Sequence, residues 1–118
     1  MIAIKRVYEP PAAGDGYRVL VDRLWPRGVS REAATIDLWL KDIAPSNALR
    51  LWFGKDPARW AEFAERYVAE LEAPEAAPHL RLLRARAKVG LVTLLYAKRD
   101  ETENNARVLR NFLMRWRG

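Results

Sequence analysis

Short apolar runs alternate along this chain with longer stretches whose apolar residues recur at spacings of three and four, and that alternation predicts an α/β fold. Ile2, Ile4 and Val7 lie in a β-like run that Pro10 and Pro11 stop, since proline cannot donate to a sheet ladder. Gly14-Asp15-Gly16 has turn chemistry, and Tyr17 to Trp25 is rich in strand formers before Pro26 halts it. Ser30 to Thr35 is at most a short capped helix. Ile36 to Lys41 alternates at period two, which suits a third strand ending before Pro45 and is nearly as compatible with a helix.

Helix boundaries are marked more clearly. Ser46 and Gly54 bracket a short helix, and Asp56-Pro57 supplies a cap and a first-turn proline for the next, whose stripe is Trp60, Phe63, Ala64, Tyr67 and Leu71. Pro74 and Pro78 bracket a break before a basic helix carrying Leu80, Leu83 and Ala87 and ending at Gly90. Leu91 to Ala97 is nearly continuous in apolar residues, as a central strand covered on both faces requires. The last helix is expected to begin after Asp100, which forms a capping-box pattern with Glu103, and its stripe is Ala106, Leu109, Phe112, Leu113 and Trp116.

Only about eight residues join the first two strands, whereas a parallel crossover between neighbours needs a dozen or more. That pair is therefore antiparallel or not adjacent. The expectation is an α/β sandwich with a mainly parallel sheet, one domain over residues 1–118.

Composition narrows the chemistry. Cysteine is absent and His79 is the single histidine, which excludes disulfides, thiolate nucleophiles and multi-histidine metal sites and leaves only an oxygen-ligated ion such as magnesium. No apolar stretch approaches the roughly 18 residues that span a bilayer, and the start has no long hydrophobic centre, so a cytoplasmic protein without membrane contact is expected. The net charge of +6, from 21 Lys and Arg against 15 Asp and Glu, favours anionic partners. Nucleotide-binding and hydrolase signatures of the glycine-rich, nucleophile-elbow and cysteine-loop kinds are missing.

Polar residues follow two strands directly, from Asp22 to Gly28 and from Tyr96 to Asn105, and ligands of open α/β sheets bind beyond the strands' carboxyl ends. Arg27 and Arg99 can grip a phosphate or carboxylate there, aided by the N-terminus of the last helix. Alternatively they pair with Asp22 and Asp100 as structural bridges. Asp22 is a candidate general base or magnesium ligand, with Asp42 or Asp100 as partner, and Lys41 and Ser46 could line the same edge. Asn104-Asn105 at a helix start suits either a ligand contact or the satisfaction of backbone groups near the cap.

The runs RVYEPP at Arg6–Pro11, GYRVLVDRLWPRG at Gly16–Gly28, WLKDIAPS at Trp39–Ser46, WFGKDPARW at Trp52–Trp60 and VTLLYAKRD with NNA between Val92 and Ala106 resemble the domain-of-unknown-function 488 family, in its short YeaO-like branch. The resemblance implies Rossmann-like layering and directs attention to Asp22, Arg23, Arg27, Tyr96, Arg99, Asp100, Asn104 and Asn105. It implies no established activity or cofactor. Longer relatives carry cysteine and histidine near the last motif, where this chain has Tyr96 and Asn104-Asn105, so their thiol or metal chemistry is not carried over.

Three functions compete on this evidence. The first is a strand-end site for a small anionic, phosphate- or nucleotide-like ligand, with Asp22 and Asp100 as catalytic candidates for hydrolysis or group transfer and Arg23, Arg27, Tyr96, Arg99, Asn104 and Asn105 as binding candidates. The second is a nucleic-acid module using Arg81, Arg84, Arg86 and Lys88, or Arg107, Arg110 and Arg117. The third is a subunit interface formed by exposed members of the five tryptophans.

Overall fold

Val92 to Tyr96 are all buried, and in the computed structural model, which describes residues 1–118, they form strand β4 inside a four-stranded parallel sheet. Its other members are β1 (Ile2–Arg6), β2 (Tyr17–Leu20) and β3 (Leu38–Trp39), in the order β1-β4-β2-β3. Ile2 and Tyr17 both stand opposite Val92, on its two sides. The short connection between the first two strands is thus explained: β1 and β2 are parallel but not adjacent, with β4 between them. Gly16 makes the entry into β2 possible. Its φ is 67°, and a Cβ there would lie 2.3 Å from the Leu91 carbonyl oxygen that accepts the Tyr17 amide.

The helices are α1 (Arg31–Ala34), α2 (Asn47–Phe53), α3 (Trp60–Leu71), α4 (Ala77–Val89) and α5 (Asn105–Arg115). Ser30 and Ser46 cap α1 and α2 by accepting from the amides of Ala33 and Leu49, and Gly54 at φ 55° closes α2. Three expectations shift. The second and third strands are shorter than their patterns, because the chain after Leu20 and Trp39 turns into the loops at the sheet edge. Pro78 does not mark a break but lies in the first turn of α4, where its missing N–H costs no hydrogen bond. The last helix starts at Asn105 rather than just after Asp100, for a reason given below.

The two faces of the sheet are covered unequally. On one, Val19, Val21, Val92, Leu94 and Tyr96 pack in one cluster with Phe63, Tyr67, Leu80, Leu83, Leu109 and Phe112 from α3, α4 and α5. Each such side chain contributes about 1.5–3 kcal/mol through burial. On the other, Val7, Leu20 and Leu95 sit with Trp25, Ile36, Trp39 and Ala97, so loops and the single-turn α1 do the covering. Arg18 serves that thin layer: only 3 % exposed, it donates to Asp15 and to the carbonyls of Ala34 and Thr35 at the end of α1. No helix is long and apolar enough to cross a membrane.

The topology sets the position of a site. The chain leaving β2 runs outward to β3, whereas the chain leaving β4 enters α5, which packs on β4 and β1. Connections that depart in opposite directions open a crevice beyond the carboxyl ends of the strands, here between β2 and β4.

Candidate functional site

Asp22 and Asn105 fill that crevice. The Asp22 carboxylate accepts the Ala97 amide at 2.9 Å and the Asn105 side-chain amide at 3.0 Å, and the same Asn105 nitrogen donates to the Val21 carbonyl at 3.0 Å. The Trp39 indole donates to the Asp22 carbonyl at 2.9 Å. Burial pushes the Asp22 carboxyl above its ordinary value, opposed by the hydrogen bonds from Asn105 and Ala97. No cation pairs with Asp22. Both oxygens face inward and hold the loop after β2 against β4 and α5, across 83 residues of sequence.

Asp100 and Asn104 divide the work at the start of α5. Asp100 accepts from the Thr102 amide, the Thr102 hydroxyl and the Glu103 amide, all at 2.9 Å, and these bonds hold its carboxyl below its ordinary value. The turn so closed delays the helix, and the expected capping box gives way to a separate cap. Asn104, fully buried and extended at φ −147°, accepts the Arg107 amide at 2.8 Å and donates to the Asp100 carbonyl at 3.0 Å. Of the two alternatives for this residue, the structure shows the cap.

The strand-end cations are not compensated in kind. The ion pairs of the chain are Lys5–Asp15, Arg18–Asp15, Arg59–Asp56 and Arg66–Glu62, so Arg6, Arg23, Arg27, Lys98, Arg99 and Arg107 have no carboxylate within 4.0 Å. The suggested bridges from Arg27 and Arg99 to Asp22 and Asp100 are therefore absent. Backbone carbonyls hold three of these arginines instead: Arg6 donates to Ala97 and Lys98, Arg23 to Ala44 and Pro45, and Arg107 to Glu101. Carbonyls orient a guanidinium without neutralising it. Lys98 lies 4.6 Å and 4.8 Å from the ring centroids of Trp60 and Phe53, and burial lowers the ammonium's pKa against the opposing pull of Asp100 and Glu103. Arg27 and Arg99 are exposed.

Tyr96 is the least expected member. It is only 2 % exposed, yet its hydroxyl has no partner in the protein, unlike that of Tyr67, which donates to the Ile43 carbonyl at 2.7 Å. Burial, followed by Glu101 and Glu9, raises the Tyr96 phenol, while Arg6 and Arg107 lower it. Arg23 stands apart from this group, on a cleft of about 260 Å³ that also includes Asp42, Ser46, Tyr67 and Glu70. There Ser46 gives its amide and hydroxyl to Glu70 at 2.8 Å and 2.6 Å, so Lys41 and Ser46 of the early expectation divide, with Lys41 stacked on Trp39 instead.

Sequence reasoning passed over Arg6, Lys98 and Arg107 as site members. Arg6 was legible, since it follows Ile2 and Ile4 at period two and so faces the same side as Tyr96, its register partner. Arg107 stands three residues after a cap, which places it in the first turn of α5. The nucleic-acid candidates are largely occupied: Arg84 stacks on Trp116, Arg86 on Tyr17, and Arg110 donates to the Ile2 carbonyl. All five tryptophans are partly buried.

Comparison with known proteins places the chain. It is 44 % identical over 112 residues to the uncharacterized protein YeaO of Escherichia coli, covering 95 % of this chain and 96 % of that one. It is 42 % identical over 112 residues to the uncharacterized protein Mb3100c of Mycobacterium bovis, at 95 % and 92 % coverage. No solved structure matches it. A family model described as the inactive DUF488-N3 subclade matches residues 1–116, and the chain belongs to that YeaO-like family.

Proposed function

We propose that this protein binds a small anionic, phosphate-like ligand at the carboxyl edge of its sheet and performs no chemistry on it. The observation that carries the reading is the set of strand-end cations with no carboxylate within 4.0 Å, three of them oriented by backbone carbonyls. Uncompensated guanidinium groups beside a helix N-terminus favour an anion from solution. Arg27, Tyr96 and Arg99 are the binding candidates with groups still free at this edge, while Arg23 lies on the separate cleft with Ser46 and Glu70. Asn104 and Asn105 act by shaping the edge, because their side chains are committed to the cap and to Asp22.

The non-catalytic part of the reading rests on Asp22 and Asp100. A general base needs an oxygen within reach of substrate; Asp22 spends both of its oxygens on internal donors, and Asp100 spends one on the turn that precedes α5. The description of the subclade as inactive agrees.

The test is thermal unfolding in inorganic phosphate against chloride at matched ionic strength, followed by Arg99→Ala. A ligand at 100 times its Kd adds about 2.7 kcal/mol of stability, which the variant should lose. Equal behaviour in the two salts would sink the proposal. Stabilisation by DNA or RNA alone, fading steeply with salt, would move the function to the basic helices.

A further inference from the structure

The hydroxyl of Tyr96 and the Nε of Arg107 are polar atoms for which the fold supplies no hydrogen-bond partner. Arg107 Nε is buried without a partner, while the same guanidinium donates to the Glu101 carbonyl at 3.2 Å. Tyr96 is buried up to its hydroxyl, and its charged neighbours are Glu101, Glu9, Arg6 and Arg107. Leaving a buried donor unpaired costs about 1–3 kcal/mol, so Arg107 Nε in the first turn of α5 calls for an acceptor that the chain itself does not supply. Arg107 belongs to the first turn of α5, where Asn104 takes the Arg107 amide and the Asn105 and Ala106 amides before it have no intrahelical acceptor.

Resting on the anion-binding reading above, we infer that Tyr96 Oη, Arg107 Nε and the opening amides of α5 form the recognition centre, with Arg6 alongside, and that the ligand is a phosphate monoester. The donors are of three kinds, a phenol, a guanidinium and backbone amides at a helix start. A tetrahedral phosphoryl group offers three terminal oxygens to meet them, whereas a planar carboxylate offers two. Glu9 and Glu101 nearby offset part of the positive charge, so directed donors rather than net potential select the ligand. Binding through directed donors resists salt better than a diffuse basic face does.

The experiment is titration of the full chain with inorganic phosphate, glycerol 2-phosphate and acetate, followed by phosphorus NMR and calorimetry. Tyr96→Phe removes only the unused hydroxyl, so its urea midpoint should match the parent while the monoester Kd weakens about tenfold. Arg107→Lys keeps the charge and loses the Nε donor, and the same weakening is expected. Monoester binding that survives Tyr96→Phe unchanged but is lost in Arg99→Ala overturns this inference and leaves the edge-binding function standing. Acetate binding as tightly as the monoester overturns the choice of phosphate. No binding of either phosphate compound overturns both.

Discussion

Replacing Asn105 by Asp probes the crevice most sharply, because it turns a donor facing Asp22 into a second carboxylate. The amide nitrogen lies 3.0 Å from an Asp22 oxygen, and two full charges at that separation repel by about 5.5 kcal/mol at an effective dielectric of 20. Taking up a proton at pH 7 on a carboxyl of ordinary pKa costs only about 4 kcal/mol, so the pair binds one proton and shares it. The protonated side chain again donates to Asp22, but the bond to the Val21 carbonyl is lost, worth about 1 kcal/mol. The expected deficit is about 5 kcal/mol at neutral pH and about 2 kcal/mol near pH 4.5, where the proton is nearly free. The sign follows from linkage. A carboxyl whose folded pKa is raised above its unfolded value contributes stability below the unfolded pKa and loses it as pH rises through the folded one. Burial of Asp22 gives the parent a milder dependence of the same sign, so the quantity to follow is the gap between variant and parent in urea unfolding. A gap that stays constant between those pH values refutes the reasoning.

Two further substitutions test the frame around the crevice. Asn104→Ala removes the cap of α5 and should cost about 1–2 kcal/mol in urea unfolding, whereas Asn104→Asp, which keeps the oxygen facing the Arg107 amide, should recover most of it. Tyr67→Phe should cost about 1–2 kcal/mol by orphaning the buried Ile43 carbonyl, and a neutral result would mean that water reaches that oxygen.

What the sequence made legible follows how local each signal is. Ser46, Gly54 and the stripe Phe63, Tyr67 and Leu71 stand where spacing and cap chemistry put them, since a cap or stripe is written within one or two turns. The central place of β4 was equally open to reading from its unbroken apolar run. The start of α5 was not, because Asp100 and Asn104 are both good caps four residues apart and only the closed turn at Asp100 decides between them. The site was legible as a region and not as a set of roles. Asp22 and Asn105 meet across 83 residues, a pairing that strand order creates and no spacing encodes. Tyr96 stood among the binding candidates from the sequence, and only the packing shows that its ring is buried while its hydroxyl is left without a partner.

The strand order also dictates how this chain can be made. On a ribosome the first two strands emerge early, yet β1 pairs with nothing but β4, and β2 has only the two-residue β3 until β4 arrives. At about 5–20 residues per second, Ile2 and Val19 wait several seconds for Val92 and Leu94 to be synthesised. A nascent chain stalled before residue 92 therefore holds helices and loose strand edges but no sheet, which makes it a client for chaperones rather than a folding intermediate. Closing so long a loop is also an entropic barrier, so folding should be slow for a chain this small and should begin only once the last strand is available.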